Sequence, residues 1–389
     1  MIARILVHLL LLITLPDLYL DRRFLRKRTR YLWWQRVLWW LPGAFMFVYT
    51  IVLATSRNFA PDNMLLLHLY LLLLGLLVVP KFVFALCSFL GWAHCRFHHT
   101  HNNWGNLVGL VFALVVDALV VYGSVCGFGK FDIRHEVYYS ADLPDAFDGY
   151  KIVHFSDAHV GTYGEKYADL LDEMVDSINA QGADMAVFTG DIQNMEPKEL
   201  YPFMQTLGRI KAKDGVFSVL GNHDYSVYIE ASSAVKVANE RELVSLERQL
   251  GWDLLLNEHR VIRRGGDSIV VAGMENYGRP PHPMRGDVGK TLAGVKPGTF
   301  ILMLEHDPWA WREAILPKSE AQLTLSGHTH GGQLKVFGWS PAAAKYKEWG
   351  GMYHEGGRAI NVSLGMGGLI PFRLGADNEI VVITLRSEK

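Results

Sequence analysis

The amino-acid sequence predicts two units of different class, an all-α membrane-spanning region over residues 1–129 and an α/β domain over residues 130–389. Half of the residues are hydrophobic, and Leu, Val and Trp are more concentrated in the first unit than in the second. Four apolar segments there approach the roughly 20 residues that a helix needs to cross a bilayer. They lie at about 2–20, 35–55, 64–90 and 106–128. After Lys130, short β-rich runs alternate with amphipathic helical stretches, the pattern of an α/β domain.

The first connection between the apolar segments is strongly basic and sets the predicted orientation. Residues 21–30 read Asp-Arg-Arg-Phe-Leu-Arg-Lys-Arg-Thr-Arg and carry six Lys and Arg. The positive-inside rule places such a short basic loop in the cytoplasm. The second connection has Arg57 as its basic residue, and the third includes Arg96. With four spans in the cell membrane, the chain after Gly129 is expected to emerge on the extracytoplasmic face.

Ionisable side chains also occur within this region. Lys81 and Asp117 fall at similar depth on consecutive antiparallel spans. We expect them to pair, because an isolated charge in hydrocarbon costs several kcal/mol; a transport role is the alternative. Four histidines cluster in the third connection, where a solvated loop is favoured over a metal site: His94, His98, His99 and His101.

The α/β domain is predicted from eight apolar runs and five helical stretches. The strands are expected at Lys151–Phe155, Met185–Thr189, Val216–Leu220, Ile269–Gly273, Phe300–Leu304, Gln322–Leu325, Ala359–Ser363 and Ile380–Leu385. The helices are expected at 166–180, 196–209, 234–250, 287–293 and 308–316. The Gly-, Pro- and Trp-rich stretch from Lys335 to Gly357 is expected to form a long loop, and long loops in compact domains are often functional.

Five short polar motifs follow these strands in chain order. They are Asp157-Ala-His159, Gly190-Asp191, Gly221-Asn222-His223-Asp224, Glu305-His306 and Gly327-His328-Thr329-His330. Strand carboxyl ends converge at one edge of an open α/β sheet, so we expect these residues to become neighbours. Carboxylate, imidazole and amide oxygen ligands suit hard and borderline divalent ions. The absence of Cys from residues 130–389 disfavours a structural zinc or iron–sulfur site.

This ordered set of motifs closely resembles the calcineurin-like metallophosphoesterase superfamily over about residues 150–389. The segments Gly327–Gln333 and Gly365–Pro371 look like the membrane-associated bacterial branch of that superfamily. Two local departures are Ala158, where a larger apolar residue is usual, and Gln193-Asn194 after Gly-Asp. Neither departure removes a ligand. The resemblance implies a fold of two packed mixed β-sheets flanked by helices.

The resemblance also implies a role for each matched residue. Asp157, His159, Asp191 and His330 would hold one metal ion, and Asp191, Asn222, His306 and His328 would hold the second, with Asp191 bridging. Two divalent ions, with Mn²⁺ favoured over Zn²⁺, Fe²⁺ or Mg²⁺, would activate a bridging water whose hydroxide attacks phosphorus. His223 is left over from ligation and would protonate the leaving oxygen or stabilise the charge that develops there. Asp224 would orient His223 or a metal ligand.

The favoured interpretation is a membrane-anchored hydrolase that cleaves phosphodiester or pyrophosphate bonds, with a lipid-linked or envelope substrate and membrane lipids as its partners. One alternative is a broad-specificity enzyme acting on small soluble phosphates. Another is a non-catalytic membrane sensor or transporter, which the complete ligand set and His223 disfavour. The net charge is −1 and the soluble unit has no basic stripe interleaved with aromatics, so nucleic acid is not an expected partner.

Other residues near the motifs are weaker candidates. His154 is expected to be a strand residue, whereas His354 and Arg358 could contact substrate from the long loop. Some aromatic residues of that loop would form an exposed lip that admits a lipid phosphate, with packing onto the domain as the alternative. These aromatics are Trp339, Tyr346, Trp349 and Tyr353.

Overall fold

The computed structural model describes residues 2–26, 33–56, 58–61, 63–280 and 282–388. The chain divides into two compact units, Met1–Val125 and Cys126–Lys389. Some of the basic residues that set the predicted orientation lie outside the described residues: Lys27, Arg28, Arg30 and Arg57.

Among the described residues, four apolar helical segments are long enough to cross a bilayer, as predicted. They are Ile2–Leu25, Trp33–Ala54, Met64–His98 and Gly105–Gly127. Their regular α-helical parts are α1 (Leu6–Leu20), α2 (Trp33–Ala54), α3 (Met64–Leu73), α4 (Val79–His98) and α5 (Gly105–Tyr122). A π-helical turn, Leu74–Val78, joins α3 to α4. Many large apolar side chains on these helices are exposed in the isolated chain, which suits contact with lipid.

The predicted partner of Lys81 is wrong. The Lys81 ammonium pairs with Asp17 of α1, with 2.8 Å between Nζ and Oδ1. Asp117 Oδ1 has no hydrogen-bond partner among the described residues. Lys81 therefore neutralises a carboxylate on the first span rather than Asp117 on the fourth.

The third span is longer than predicted, so two of the clustered histidines lie on its helix and not in the connection that follows. His94 and His98 lie on α4 with their ring centroids 4.5 Å apart. His99 ends the helix with a left-handed backbone at φ 54°. The expectation of a connecting loop is therefore wrong for His94 and His98. Within the described parts of the chain, no group of potential metal ligands includes these histidines.

The second unit is built on two six-stranded mixed sheets. The first has the order β1 (Phe131–Ser140), β12 (Asn378–Ser387), β2 (Lys151–Phe155), β3 (Met185–Phe188), β4 (Val216–Ser218) and β5 (Asp253–Leu254). The second has the order β10 (Gly351–Glu355), β11 (Arg358–Val362), β9 (Leu323–Ser326), β8 (Ile301–Leu304), β7 (Asp267–Gly273) and β6 (Glu258–Arg264). The run from β2 to β5 and the run from β11 to β7 are parallel.

Apolar side chains bury both faces of the central strands. Ile152 of β2 packs in a cluster that includes Leu302 of β8, so this cluster joins the two sheets. The next residue, Val153, faces the other way and packs with Leu171 of a flanking helix. The flanking helices are α6 (Ala168–Ala180), α7 (Met204–Leu207), α8 (Ser233–Gln249), α9 (Val288–Thr291) and α10 (Leu316–Lys318). Strands buried on both faces read as continuous apolar runs, which is why the sequence predicts them.

All eight predicted strands are present with ends within two residues of the prediction, and the four that were missed are the sheet edges β1, β5, β6 and β10. Edge strands carry charged and exposed side chains, so they lack a continuous apolar run. Because β10 occupies Gly351–Glu355, the predicted long loop is wrong over that part. Two predicted helices are largely non-α, with 3₁₀ structure at Pro197–Phe203 and π structure at Trp311–Ile315.

A buried carboxylate ties the two sheets together at the end of the domain where β3 begins. Asp184 accepts hydrogen bonds from the Lys151 backbone N–H at 2.9 Å, from Lys213 Nζ at 3.0 Å and from Arg264 of β6 at 2.7 Å. Burial opposes the charged form, but these donors outweigh it and hold the pKa of Asp184 below its usual value.

Candidate metal centre

The polar motifs lie at the carboxyl ends of strands from both sheets. In the first sheet, Asp157 and His159 follow β2, Asp191 follows β3 and Asn222 follows β4. In the second sheet, His306 follows β8, and His328 and His330 follow β9. Ring nitrogens and carboxylate or amide oxygens of these residues approach one another across the two sheets. The structure thus brings the seven predicted metal ligands together at one end of the sandwich.

One group of potential ligands consists of Asp157, His159 and His330. One ligand atom from each of them lies within 4.8 Å of the other two. His330 Nε2 is 3.4 Å from Asp157 Oδ1, and His159 Nε2 is 3.6 Å from Asp191 Oδ2. His159 Nε2 is buried and has no hydrogen-bond partner among the described residues. A buried polar atom without a partner is uncommon and calls for an explanation, and a cation at this point would supply it.

A second group comes from Asp191, His306 and His328, whose ligand atoms also lie within 4.8 Å of one another. His306 Nε2 is 3.1 Å from Asp191 Oδ2, 3.2 Å from Asn222 Oδ1 and 3.2 Å from His328 Nδ1. Asp191 Oδ2 therefore faces nitrogens of both groups. Asp191 is the residue that was predicted to bridge the two ions.

Carbonyl oxygens fix which ring nitrogen of His306 and of His159 faces the centre. His306 Nδ1 lies 2.7 Å from the Thr189 backbone carbonyl, and His159 Nδ1 lies 3.0 Å from the Asn194 side-chain oxygen. Because a carbonyl oxygen only accepts, Nδ1 carries a proton in both residues and Nε2 is the nitrogen directed to the centre. Burial lowers the pKa of His159 and of His330 to about 3, which favours the neutral form that binds metal.

The backbone of the centre is unusual, because five of the seven residues have a positive φ. They are Asp157 (52°), His159 (47°), Asp191 (59°), His328 (73°) and His330 (51°). A left-handed backbone costs a non-glycine residue about 1–2 kcal/mol, and such strain is concentrated at functional sites. The tight turns also need close approach: a Cβ added to Gly327 would lie 2.1 Å from Asp157 Oδ2.

His223 lies beside both groups, half-buried. Its Nδ1 is 2.6 Å from the Asn194 backbone carbonyl, so that nitrogen is the donor. Its ring centroid is 4.8 Å from that of His159. His223 also forms a potential ligand group with His159 and Asp191. The geometry is therefore compatible with the predicted acid role and with direct ligation.

Asp224 contacts backbone groups. Its carboxylate accepts N–H hydrogen bonds from Gly221 at 2.7 Å, Asp191 at 2.7 Å and Ile192 at 3.0 Å. Asp224 thus fixes the turn that carries Asp191. The His223 ring is oriented by the carbonyl of Asn194.

Side chains outside the motifs also contact the centre. Tyr346 is one of the four loop aromatics for which an exposed lip or packing onto the domain was expected; it is 7% exposed, and its hydroxyl lies 2.7 Å from His328 Nε2. Tyr228 accepts from Asn222 Nδ2 at 2.7 Å, and its hydroxyl lies 2.9 Å from His282 Nδ1. No motif marks Tyr228 or His282 in the sequence.

The weaker candidates have mixed outcomes. His154 is fully buried in β2, as expected for a strand residue. Arg358 donates to the backbone carbonyls of Ala321, Leu316 and Ile315, so its donors are used within the fold. Of the four loop aromatics, Trp339 is strongly exposed, whereas Trp349 and Tyr353 are half-buried. His354 is exposed on β10.

Two families of known proteins match different parts of this chain. The sequence model of the family described as "Calcineurin-like phosphoesterase" matches residues 150–332. A second model, described as "Probable Calcineurin-like phosphoesterase, transmembrane domain", matches residues 3–128. The two matches correspond to the phosphoesterase motifs and to the four apolar segments.

Relatives of this chain occur in bacteria and vertebrates. It is 30% identical to the uncharacterized metallophosphoesterase YkuE of Bacillus subtilis over 302 residues, which cover 72% of this chain and 96% of that protein. It is 27% identical to an uncharacterized metallophosphoesterase of Helicobacter pylori, covering 91% of this chain and 89% of the relative. It is 31% identical to a transmembrane protein with metallophosphoesterase domain of Danio rerio, covering 59% and 52% of the two chains. The chain therefore belongs to the calcineurin-like phosphoesterase family and is a membrane protein with four apolar helices ahead of its phosphoesterase domain.

Proposed function

We propose that this protein hydrolyses phosphodiester or pyrophosphate bonds in a lipid-linked or envelope substrate, at a centre of two divalent metal ions. The observation that carries the proposal is the position of Asp191 Oδ2 between His159 Nε2 and His306 Nε2, at 3.6 and 3.1 Å. A buried carboxylate that faces imidazoles from both groups of ligand atoms suits two ions better than one.

Asp157, His159, Asp191 and His330 hold one ion in this proposal, and Asp191, Asn222, His306 and His328 hold the other. Two divalent ions in such a site make water nucleophilic at neutral pH and neutralise phosphoryl oxygens. The ligands combine carboxylate, imidazole and amide oxygen without thiolate, which suits Mn²⁺ among other ions. The imidazoles of His306 and His159 already direct Nε2 to the centre, because a backbone carbonyl and an amide oxygen hold their Nδ1 atoms.

His223 is the proposed proton donor to the leaving oxygen. The Asn194 carbonyl occupies the Nδ1–H, so Nε2 is the nitrogen that exchanges a proton with the substrate. In this proposal Asp224 does not contact the substrate; its carboxylate positions Asp191 by accepting the backbone N–H groups of Asp191 and Gly221.

The lipid-linked substrate class is supported by the four apolar helices in the same chain. A membrane tether raises the local concentration of amphiphilic phosphates relative to soluble ones. The catalytic domain is proposed to lie on the extracytoplasmic side, because the basic connection at residues 21–30 favours the cytoplasm.

The test uses the full-length chain in lipid nanodiscs, stripped with chelator and then given Mn²⁺. We expect hydrolysis of bis(p-nitrophenyl) phosphate and of a lipid-linked diphosphate to return with the metal. Asp191→Asn should lose both activities and its bound metal, whereas His135→Ala, at an exposed histidine of β1, should keep them. Full activity in chelator would contradict the two-metal mechanism. Equal catalytic efficiency on soluble and lipid-linked substrates would favour a broad-specificity enzyme.

A further inference from the structure

A tight hairpin carries two strongly exposed aromatic side chains. We define the aromatic hairpin as residues 335–339. Val336 and Trp339 exchange backbone hydrogen bonds at 2.9 and 3.0 Å, with Phe337 and Gly338 at the turn. Phe337 is fully exposed at 104%, and Trp339 is 58% exposed. Phe337 has φ 51° and Gly338 has φ 80°, a turn for which Asn-Gly is the preferred pair. The Phe337 side chain therefore stabilises neither the turn conformation nor the hydrophobic core.

Backbone hydrogen bonds join the base of this hairpin to Leu374, and the neighbouring Arg373 lies against Gly127, near the start of the second unit. The Lys335 N–H donates to the Leu374 carbonyl at 2.8 Å, and the Leu374 N–H donates to the Gln333 carbonyl at 3.0 Å. The preceding residue, Arg373, packs against Gly127, where an added Cβ would lie 1.8 Å from the Arg373 carbonyl oxygen. Gly127 is the last residue of the fourth apolar segment. Within the unit Cys126–Lys389, Arg373 and Leu374 therefore connect the hairpin with Gly127, at the end of the fourth apolar segment.

The same hairpin is close to the metal centre along the chain and through contacts. His330 precedes Lys335 by five residues. Arg373 donates to the His330 backbone carbonyl at 3.3 Å, so the segment that fixes the hairpin also contacts a proposed ligand residue. Beside it, Ile370 and Phe372 are half-buried apolar residues whose carbonyls accept from Gln333.

The charge around the hairpin suits a lipid surface. Residues 331–347 include Lys335, Lys345 and Lys347 and contain no Asp or Glu. All three lysines are exposed. Aromatic residues with flanking lysines favour the headgroup region of a bilayer, where the rings enter the apolar boundary and the ammonium groups remain in water.

We propose that the aromatic hairpin inserts into the headgroup region of the leaflet at which the fourth apolar segment ends, and so holds the metal centre at the lipid surface. The partner is the bilayer itself. The insertion itself does not depend on the reaction that the protein catalyses. Its consequence is that an amphiphilic phosphate reaches the metal centre from that leaflet, and this part rests on the proposed function.

The decisive experiment places a fluorescent probe on the hairpin of the full-length protein. The native Cys87, Cys95 and Cys126 are replaced by Ser, and Phe337→Cys is labelled with an environment-sensitive nitrobenzoxadiazole group. The protein is placed in nanodiscs of phosphatidylcholine and phosphatidylglycerol, with and without doxyl-labelled lipid. Val261→Cys is the matched control, since Val261 is 43% exposed on β6.

We expect blue-shifted emission and quenching by doxyl lipid at position 337, with water-like, unquenched emission at position 261. Water-like emission at both positions would overturn the proposal. A probe at 337 that is shielded but insensitive to doxyl lipid would overturn it too, because a second copy or another protein would then cover the hairpin. Thermal unfolding of each labelled protein identifies misfolded samples before the comparison.

A second variant tests the functional consequence without a label. Phe337→Asn keeps a residue that tolerates the left-handed turn and removes the aromatic ring. The ratio of lipid-linked to soluble substrate turnover should fall about tenfold, the effect of losing one inserted aromatic, and Val261→Asn should leave that ratio unchanged. An unchanged ratio in Phe337→Asn would contradict the substrate-access part of the proposal. Quenching at position 337 would still decide the insertion, even if neither substrate is hydrolysed.

Discussion

Replacing Asn194 by Ala should weaken metal binding while leaving the proposed acid in place. The Asn194 side-chain oxygen lies 3.0 Å from His159 Nδ1, whereas its backbone carbonyl lies 2.6 Å from His223 Nδ1. The substitution removes the first contact and keeps the second. Loss of such a partner of a metal-bound histidine weakens metal affinity by about 10- to 100-fold, on the order of 1–3 kcal/mol. Asn194 is 1% exposed, so bulk water does not simply replace the lost oxygen, and we expect the upper part of that range.

The assay is the dependence of phosphodiester hydrolysis on Mn²⁺ concentration, measured on the full-length protein after chelation. The Mn²⁺ midpoint should rise in Asn194→Ala, and kcat at saturating Mn²⁺ should stay within a few-fold of wild type. Asn194→Asp retains an acceptor for His159 and should restore the midpoint. An unchanged midpoint, or a kcat at saturating metal as low as that of His223→Ala, would refute the separation of the two contacts.

Three further outcomes are expected. His223→Ala should retain its metal and slow hydrolysis by about 10²–10⁴-fold, with a smaller loss for substrates whose leaving group needs no proton; metal analysis that shows loss of an ion would instead make His223 a ligand. A reporter fused to the C-terminus should be extracytoplasmic, and neutralising the basic residues of segment 22–30 should mix the orientations; a cytoplasmic reporter on the native chain would reverse the proposed sidedness. Asp184→Asn should lower the free energy of unfolding at pH 7. Because the folded-state pKa of Asp184 is lowered, its stabilising effect is present above the usual pKa of 3.8 and is lost as the pH falls through the folded value. Chemical denaturation should therefore show a difference between the proteins that shrinks at acidic pH, and a constant difference would exclude the charge as its cause.

The buried strands and the positions of the ligands could be predicted from sequence for a common physical reason. Strands β2, β3, β8 and β9 are buried on both faces and therefore read as apolar runs. The polar residues that interrupt each run mark the end of the strand. Convergence of strand ends then brings together residues as distant in sequence as Asp157 and His330.

The supporting contacts could not be predicted in the same way. His306 and His223 are oriented by the backbone carbonyls of Thr189 and Asn194. Every residue type has a backbone carbonyl, so such a partner leaves no signal in the sequence. The burial of Tyr346 could not be predicted either. It lies in a Gly-rich segment without an apolar pattern, and the sequence does not show that its hydroxyl contacts His328. The edge strands were missed because solvent on one side removes their apolar pattern.

Because loop backbone sets the geometry of the centre, a substitution can disrupt it while keeping every ligand. A Cβ added to Gly327 would lie 2.0 Å from Ser156 Oγ and 2.1 Å from Asp157 Oδ2. Both are far inside van der Waals contact, and the Asp157 carboxylate also accepts the His328 N–H at 2.9 Å, so it cannot move without changing that turn. Gly327→Ala should therefore lower metal content as a ligand substitution would. Gly266→Ala, where nothing lies within 4 Å of the added carbon, should bind metal normally. Wild-type metal content in Gly327→Ala would mean that the strand ends tolerate displacement, and that the close packing of Gly327 on Asp157 does not set the position of the carboxylate.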